Sequence, residues 1–398
     1  MDRSYWRTVS LVFAWQMAAS ICYYAIFAAT PFFRDAFGLS RFEVGVIVTV
    51  LSLGYATFLL PIGAATDRYG EKRTLTVGLL GLSATIILVI VAPTYLLLLV
   101  AVFLLGSLYG TAMPGTNKAI FDSIARGRQN FAMGLKQVGV TAGSGISSLL
   151  VTGLAGVLFW QSGFLVAAGF SLLVAGLFYT FYVDTGGHGS GGFPDFNVLF
   201  SNRPYVFLVA AGFFLGGALF TTTGYTVLYV EESIGASVLF GGIVLALVQL
   251  FGSFGRILTG WLSDVLPGDP QTRISSILII QTIGGAALFV VVAWTSTPVG
   301  AAIGFSLLGF FILGYTGVYY SVMATVVPAG EIGSATAGGQ VALTSGSLVA
   351  PLAFGYLADT VGYRASWLLL AAATGFAALL LAGVLRNAPP TEQTAMNG

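Results

Sequence analysis

The chain has 398 residues, 57% of them hydrophobic and 8% charged, with a formal net charge of +1 and a mean hydropathy of +0.91. Soluble domains carry roughly 25% charged residues, so a soluble enzyme or binding module is excluded, and so small a net charge leaves no electrostatic footprint for nucleic acid. No alternation over ~10-residue segments of the transmembrane β-barrel kind is present, which leaves helices buried in lipid.

A hydrocarbon core of ~30 Å needs about 20 apolar residues per helix. Cutting the chain at charges, prolines and glycines predicts spans near 9–30, 42–66, 74–92, 95–117, 131–157, 162–183, 205–230, 237–263, 274–293, 299–326, 333–357 and 365–385. Thr74 to Asn117 and Ile274 to Gly330 contain no Asp, Glu, Lys or Arg, so each holds two helices joined by a short turn. The first 20 residues imitate a secretory signal, with Arg3 and Arg7 ahead of an apolar run and Ala18-Ala19-Ser20 as a false cleavage site; the run continues to about Thr30, too long for a signal, and is read as the first helix. Twelve helices place both termini on one side. Arg3, Arg7, Arg68, Lys72, Arg73, Arg126, Arg128, Arg203, Arg273 and Arg386 fall there against Arg34, Arg41 and Arg364 opposite. The positive-inside rule makes that side the cytoplasm. The expectation is a multi-pass protein of the cytoplasmic (inner) membrane with N- and C-termini inside. The single cysteine, Cys22, excludes an internal disulfide and suits helix packing. The single histidine, His188, sits in a Gly-rich linker rather than a metal cluster, and no cofactor is implied.

The linker divides the chain into a six-helix bundle over 1–183, a cytoplasmic connection over 184–203 and a second bundle with a short tail over 204–398. Pro61-Ile62-Gly63-Ala64-Ala65-Thr66-Asp67 at the end of helix 2 matches Leu258-Thr259-Gly260-Trp261-Leu262-Ser263-Asp264 at the end of helix 8, an offset of 197 from Gly63 to Gly260. Gln137-Val138 matches Gln340-Val341 at an offset of 203. Similar offsets at separate places indicate a duplicated unit. The fold class is therefore an all-α membrane protein of twelve helices in two pseudo-symmetric six-helix bundles, the architecture of a rocking transporter with cargo held near mid-depth.

The loop Gly63-Ala64-Ala65-Thr66-Asp67-Arg68-Tyr69-Gly70-Glu71-Lys72-Arg73 resembles the signature G-x-x-x-D-R-x-G-[RK]-[RK] of the major facilitator superfamily, with Glu71 in place of one basic residue. Gly260 and Asp264 form its degenerate copy. On physical grounds Gly63 would let helices approach closely, and Asp67 would form charge-assisted bonds with the cations that follow it. The resemblance implies that Gly63, Asp67, Arg68, Gly70, Lys72, Arg73, Gly260 and Asp264 act in conformational switching, with contacts that favour the outward-open state. The alternative is that Arg68, Lys72 and Arg73 only fix topology.

Cargo is argued from charges that lipid disfavours. Lys136 lies eight residues past Arg128 and Arg256 eight before Asp264, so at 1.5 Å per residue both sit ~12 Å inside their helix ends. A cation at such depth costs roughly 2.5–3.5 kcal/mol and normally faces the bundle interior. Neither repeats across the halves, and no acid falls well inside a predicted span. Two cations facing one cavity ~10 Å apart would repel by about 1.7 kcal/mol at an effective dielectric near 20, a penalty that an anion between them turns into binding. The expected cargo is a small organic anion, a carboxylate, with Arg256 offering a bidentate fork and Lys136 a point charge. The alternatives are that Lys136 snorkels to the inner surface and that Arg256 bonds backbone carbonyls or Asp264. Met133-Gly134-Leu135-Lys136-Gln137-Val138-Gly139 resembles the helix 5 segment of sugar-phosphate-permease-like and related anion porters, and an arginine placed like Arg256 lines the site in oxalate/formate-antiporter relatives. This chain departs from those antiporters by having Gly338 and Gly339 where a helix 11 lysine would be sought.

Tyr23, Tyr315 and Tyr319 are candidate hydroxyl donors to the cargo, against the alternative of an interfacial aromatic belt. Gln137 and Gln340 are either cargo ligands or helix-to-helix glue. The partners expected are a small anion, a co-transported proton or counter-anion, and the bilayer, for a protein acting as a monomer. A drug or lipophile exporter of the same fold is the second function, motivated by 14% aromatic residues. A transport-dead membrane sensor is the third, but the tail Asn387–Gly398 is too short for an output domain.

Overall fold

A computed structural model describes residues 3–124, 128–183, 201–328 and 331–386; His188, Arg126 and the linker residues 184–200 lie outside them. Twelve helical segments are long and apolar enough to cross a membrane, and no strand occurs among the described residues. In chain order the helices are α1 (Arg3–Ala28), α2 (Thr30–Phe37), α3 (Arg41–Tyr69), α4 (Glu71–Val91), α5 (Tyr95–Tyr109), α6 (Ala112–Ser123), α7 (Gln129–Ala155), α8 (Ser162–Phe181), α9 (Arg203–Glu232), α10 (Val238–Val265), α11 (Pro270–Ala293), α12 (Pro298–Ile312), α13 (Thr316–Val326), α14 (Ile332–Thr360) and α15 (Tyr363–Arg386).

Local chemistry sets the ends. Ser40 and Glu43 close a reciprocal capping box at the start of α3, the Glu43 amide donating to Ser40 Oγ (3.2 Å) and the Ser40 amide to Glu43 Oε2 (2.8 Å). Asp269 caps α11 at 2.9 Å, with Pro270 preset at its first position. Gly70 ends α3 and opens α4 at φ 84°, ψ 153°, a backbone state that only glycine holds without strain.

Two predicted spans differ from a continuous helix. The fourth breaks into α5 and α6 at Gly110–Thr111, with Pro114 in the first turn of α6, and the tenth breaks into α12 and α13 at 313–315. The helix bounds repeat: α5, α6 and α7 recur as α12, α13 and α14 at or near an offset of 203, and α3 recurs as α10 at 197. Even the caps match, because Thr94 accepts from the Leu97 amide (3.4 Å) and Thr297 from the Gly300 amide (3.1 Å).

Where helices press together, glycines stand at the contact. A Cβ at Gly143 of α7 would lie 2.5 Å from the Met17 carbonyl of α1, and one at Gly346 of α14, 203 residues on, would strike the Phe213 carbonyl of α9. Gly54 and Gly106 perform the same service between α3 and α5. Lipid supplies no hydrophobic force between helices, so close packing of this kind holds them. Buried polar groups close their bonds across helices too: Trp15 donates to the Leu75 carbonyl (2.9 Å) and Ser171 to the Leu79 carbonyl (3.2 Å). Outward-facing Leu96, Val299 and Leu379 stay exposed, as a lipid-facing belt requires.

The chain forms two compact units. The first comprises 1–192 with 223–250, the second 193–222 with 251–398. Residues 223–232 of α9 and 238–250 of α10 thus group with the first unit, so the compact units and the six-plus-six partition of the helices are distinct divisions of the chain. Within the first unit Glu232, the last residue of α9, pairs with Arg34 of α2 and with Arg41 Nε of α3 (2.8 Å). The Tyr225 hydroxyl adds a bond to the Arg41 carbonyl (2.6 Å).

Candidate functional site

In the first unit α7 is drawn against α1 by Gly139 and Gly143, which carries Lys136, one turn earlier, into the interior. Lys136 is 5% exposed, so the snorkelling alternative is not what this structure shows. It lies seven residues into α7, roughly 10 Å at 1.5 Å per residue. Its Nζ donates to Asn117 Oδ1 on α6 (2.5 Å). An ammonium only donates, so this contact fixes the orientation of the Asn117 amide. Among the described residues no salt bridge neutralises Lys136.

Tyr23 is buried and stacked on Tyr109 at 4.1 Å, with Tyr24 edge-on at 5.3 Å. Tyr109, the last residue of α5, shares a hydrogen bond with Ser20 (3.2 Å), to which Gln16 donates (3.4 Å), while Tyr55 packs 5.9 Å away. Gln137, next to Lys136, is exposed, and no hydrogen bond joins its side chain to another described residue.

In the second unit Gly252 and Gly255 bring α10 against the α12–α13 break. A Cβ at Gly252 would lie 2.6 Å from Leu313 Cβ, and one at Gly255 2.9 Å from Gly314 Cα. Arg256 follows, and its Nε donates to the Leu313 carbonyl at the end of α12 (3.0 Å). A structural bond to a backbone carbonyl, one of the two alternatives for Arg256, is therefore present; Asp264 is exposed.

Tyr315 lies within electrostatic reach of Arg256. Tyr315 and Tyr319 are buried, 6.3 Å between ring centroids, and their hydroxyls have no hydrogen-bond partner among the described residues. The Tyr319 hydroxyl occupies the notch left by Gly212 on α9, which a Cβ would fill. Tyr320 donates to Gln340 Oε1, and Gln340 Nε2 donates to Thr344 Oγ1 (3.3 Å). Through Tyr320 the Gln340 side chain joins α13 to α14.

The two polar bridges start from equivalent residues and end one residue apart on the following helix. Asn117 and Tyr320 are 203 residues apart, as are Lys136-Gln137 and Gly339-Gln340. At Gly339 a Cβ would come within 2.6 Å of the Met323 sulfur, and Met323 is wholly buried. A side chain at Gly339 would have to displace the far end of Met323.

The signature loop corrects two expectations. Gly63 does not mediate a close approach: a Cβ there would meet only Pro114 Cβ, at 3.9 Å, and one at Gly260 would meet nothing within 4 Å. Nor does Asp67 pair with its neighbours among the described residues. Arg68 lies over the ring of Tyr69 and Lys72 over that of Tyr179, each at 5.3 Å, and Arg73 is exposed. A ring face within about 6 Å attracts a cation, and these rings compete with Asp67. Lys118 pairs with Asp122 one turn on (2.6 Å). Glu71 is fully buried and accepts from the Tyr182 hydroxyl (3.0 Å), an acid partner for the end of α8 that the loop pattern does not reveal. Sequence reasoning also passed over Asn117, an uncharged residue at the edge of a predicted span, and Gln16, Tyr55 and Tyr109.

The chain matches the family model described as the Major Facilitator Superfamily over residues 12–342. It is 23% identical to the hexuronate transporter of Bacillus subtilis, over 91% of this chain and 90% of that protein. It is 25% identical to a probable sulfoacetate transporter of Cupriavidus necator, over 89% of this chain and 87% of the relative. Its fold is similar to the crystal structure of a bacterial homologue of the human lysosomal transporter Spinster, with a TM-score of 0.84 at 15% identity, covering 98% of this chain and all of the other. The family and these relatives are transporters, not enzymes, and this chain belongs to the Major Facilitator Superfamily.

Proposed function

We propose that this protein carries a small organic anion, a carboxylate, across the cytoplasmic membrane by alternating access, with Lys136 and Arg256 binding the negative group. The observation that carries the reading is Lys136: a lysine buried in a membrane helix whose bond goes to a neutral amide rather than to an acid. An ammonium kept charged in such surroundings needs an anion to compensate it, and charge-assisted hydrogen bonds of this kind are worth about 1.5–3 kcal/mol. Arg256 is steadied through Nε on the Leu313 carbonyl, and its planar guanidinium suits a carboxylate. The relatives support the class, since hexuronate, sulfoacetate and the galactonate named for a further relative at 21% identity are all organic anions. They lend no support to a lipophile exporter.

Tyr23, Tyr315, Tyr319, Gln137 and Gln340 are proposed to complete recognition, and the loop over 63–73 with Gly260 and Asp264 to act in switching. On this reading both termini lie in the cytoplasm, the protein works as a monomer, and a proton or counter-anion balances the charge moved. The test is uptake by liposomes containing the purified protein, using radiolabelled glucuronate, galactonate, sulfoacetate and formate, with glucose as the neutral control. Anion uptake without glucose uptake, reduced about 10- to 100-fold in apparent affinity by Lys136→Gln and by Arg256→Gln, is expected. Uptake indifferent to both substitutions overturns the assignment.

A further inference from the structure

We infer that Asn117 is a positioning residue for transport: it holds Lys136 in place while leaving the ammonium charge uncancelled, and so sets the protein's affinity for anions. The inference rests on the reading of Lys136 as an anion-binding group. A buried ammonium needs acceptors for its protons. An acid in that role would satisfy one proton and cancel the charge; a serine would fall short of Nζ. An asparagine offers an oxygen at the reach of an aspartate with no charge.

The location supports a built arrangement. Asn117 stands on α6, just beyond the Gly110–Thr111 break, and reaches across to α7. In the second unit Tyr320, the counterpart of Asn117, bonds Gln340, one residue beyond the counterpart of Lys136, and so also joins α13 to α14. The scaffold thus repeats a bond from a broken helix to the long helix that follows it, and only the first copy uses that bond to seat a cation. The oxygen of the Asn117 amide faces Lys136, so its NH2 group points elsewhere, and among the described residues nothing bonds it. A purely structural glue would have no reason to avoid a carboxylate, which would bind the lysine more strongly.

The test is a double-substitution cycle in liposomes holding the full-length protein. Initial uptake rates of glucuronate, galactonate, sulfoacetate and formate are measured for native protein, Asn117→Asp, Lys136→Gln and the double variant, with melting temperature as a folding control. Asn117→Asp is nearly isosteric and gives Lys136 an ion-pair partner, so the fold is expected to survive while KM for the transported anion rises at least about 10-fold and kcat changes less. In the double variant KM is expected to lie within about twofold of Lys136→Gln alone, because Asn117 acts through the lysine. Asn117→Ser is the second variant, expected to fall between native and Asn117→Asp. A native KM in Asn117→Asp, or losses that multiply in the double variant, overturns the inference. A fall in kcat alone marks Asn117 as structural and overturns it equally. No uptake of any of the four anions by the native protein removes the anion reading itself, an outcome distinct from these.

Discussion

Glu232 offers the sharpest perturbation of the structure. Its carboxylate meets Arg34 and Arg41, and its side chain is 12% exposed against 33% and 27% for the arginines. Two unit charges ~4 Å apart interact by about 4 kcal/mol at an effective dielectric near 20. Partial exposure and the ordering of long side chains reduce such pairs to roughly 0.2–1 kcal/mol net. Two arginines sharing one carboxylate then contribute about 0.4–2 kcal/mol to holding residues 223–232 within the first unit. Glu232→Gln keeps the shape and removes the charge, so the opening of this segment is expected to rise roughly 2- to 30-fold. Hydrogen exchange of backbone amides over 223–232, in detergent or nanodiscs at low salt, reads this directly. The Arg34→Gln/Arg41→Gln double variant is expected to reproduce the effect and to make Glu232→Gln silent. Exchange unchanged by Glu232→Gln, or changed equally along all of α9, would refute the reasoning.

Glycine substitutions separate contact glycines from motif glycines. Gly143→Ala places a methyl 2.5 Å from the Met17 carbonyl and is expected to cost 1–3 kcal/mol or more in thermal stability, whereas Gly63→Ala and Gly260→Ala should melt close to native; equal losses at the three sites would contradict the packing described. Gly70→Ala must adopt φ 84°, ψ 153°, which costs about 1–3 kcal/mol, and a native melting temperature would rule out that backbone state. Tyr182→Phe removes the donor to the buried Glu71 carboxylate and is expected to destabilise by about 1–3 kcal/mol, with Glu71→Gln restoring much of the loss; a neutral Tyr182→Phe would show that the bond contributes nothing.

The number of spans was legible because lipid is an unforgiving solvent: stretches such as 74–117, without a single charge, have few other fates. The duplication was legible for the same chemical reason, through two short matches whose offsets the helix bounds reproduce. The breaks at 110–111 and 313–315 were not, because each is marked only by glycine, and 53 glycines are spread over the chain. Which glycines touch a neighbour was equally hidden. The loop pattern pointed to Gly63 and Gly260, but spacing along one helix does not say which face meets another, and the contacts fall on Gly54, Gly106, Gly143, Gly252, Gly255 and Gly346. Lys136 stood out because charge in a span is costly, whereas its partner Asn117 is neutral and lay at the edge of a predicted helix. The ring partners of Arg68 and Lys72 depend on tertiary neighbours that no local pattern encodes. The signature loop therefore identified the family more securely than it described its own contacts.

The backbone-on-backbone seams at Gly143 and Gly346 bear on how this chain can deform. With no methyl between α7 and α1, or between α14 and α9, each pair packs backbone against backbone, and a single added carbon on either seam would run into a carbonyl oxygen. The helical ladder lapses instead at the interruptions that follow Tyr109 and Ile312, where a bend would leave both seams intact. Rigid struts and two knees, one inherited by each copy of an ancestral half, make up the mechanical vocabulary available to this fold.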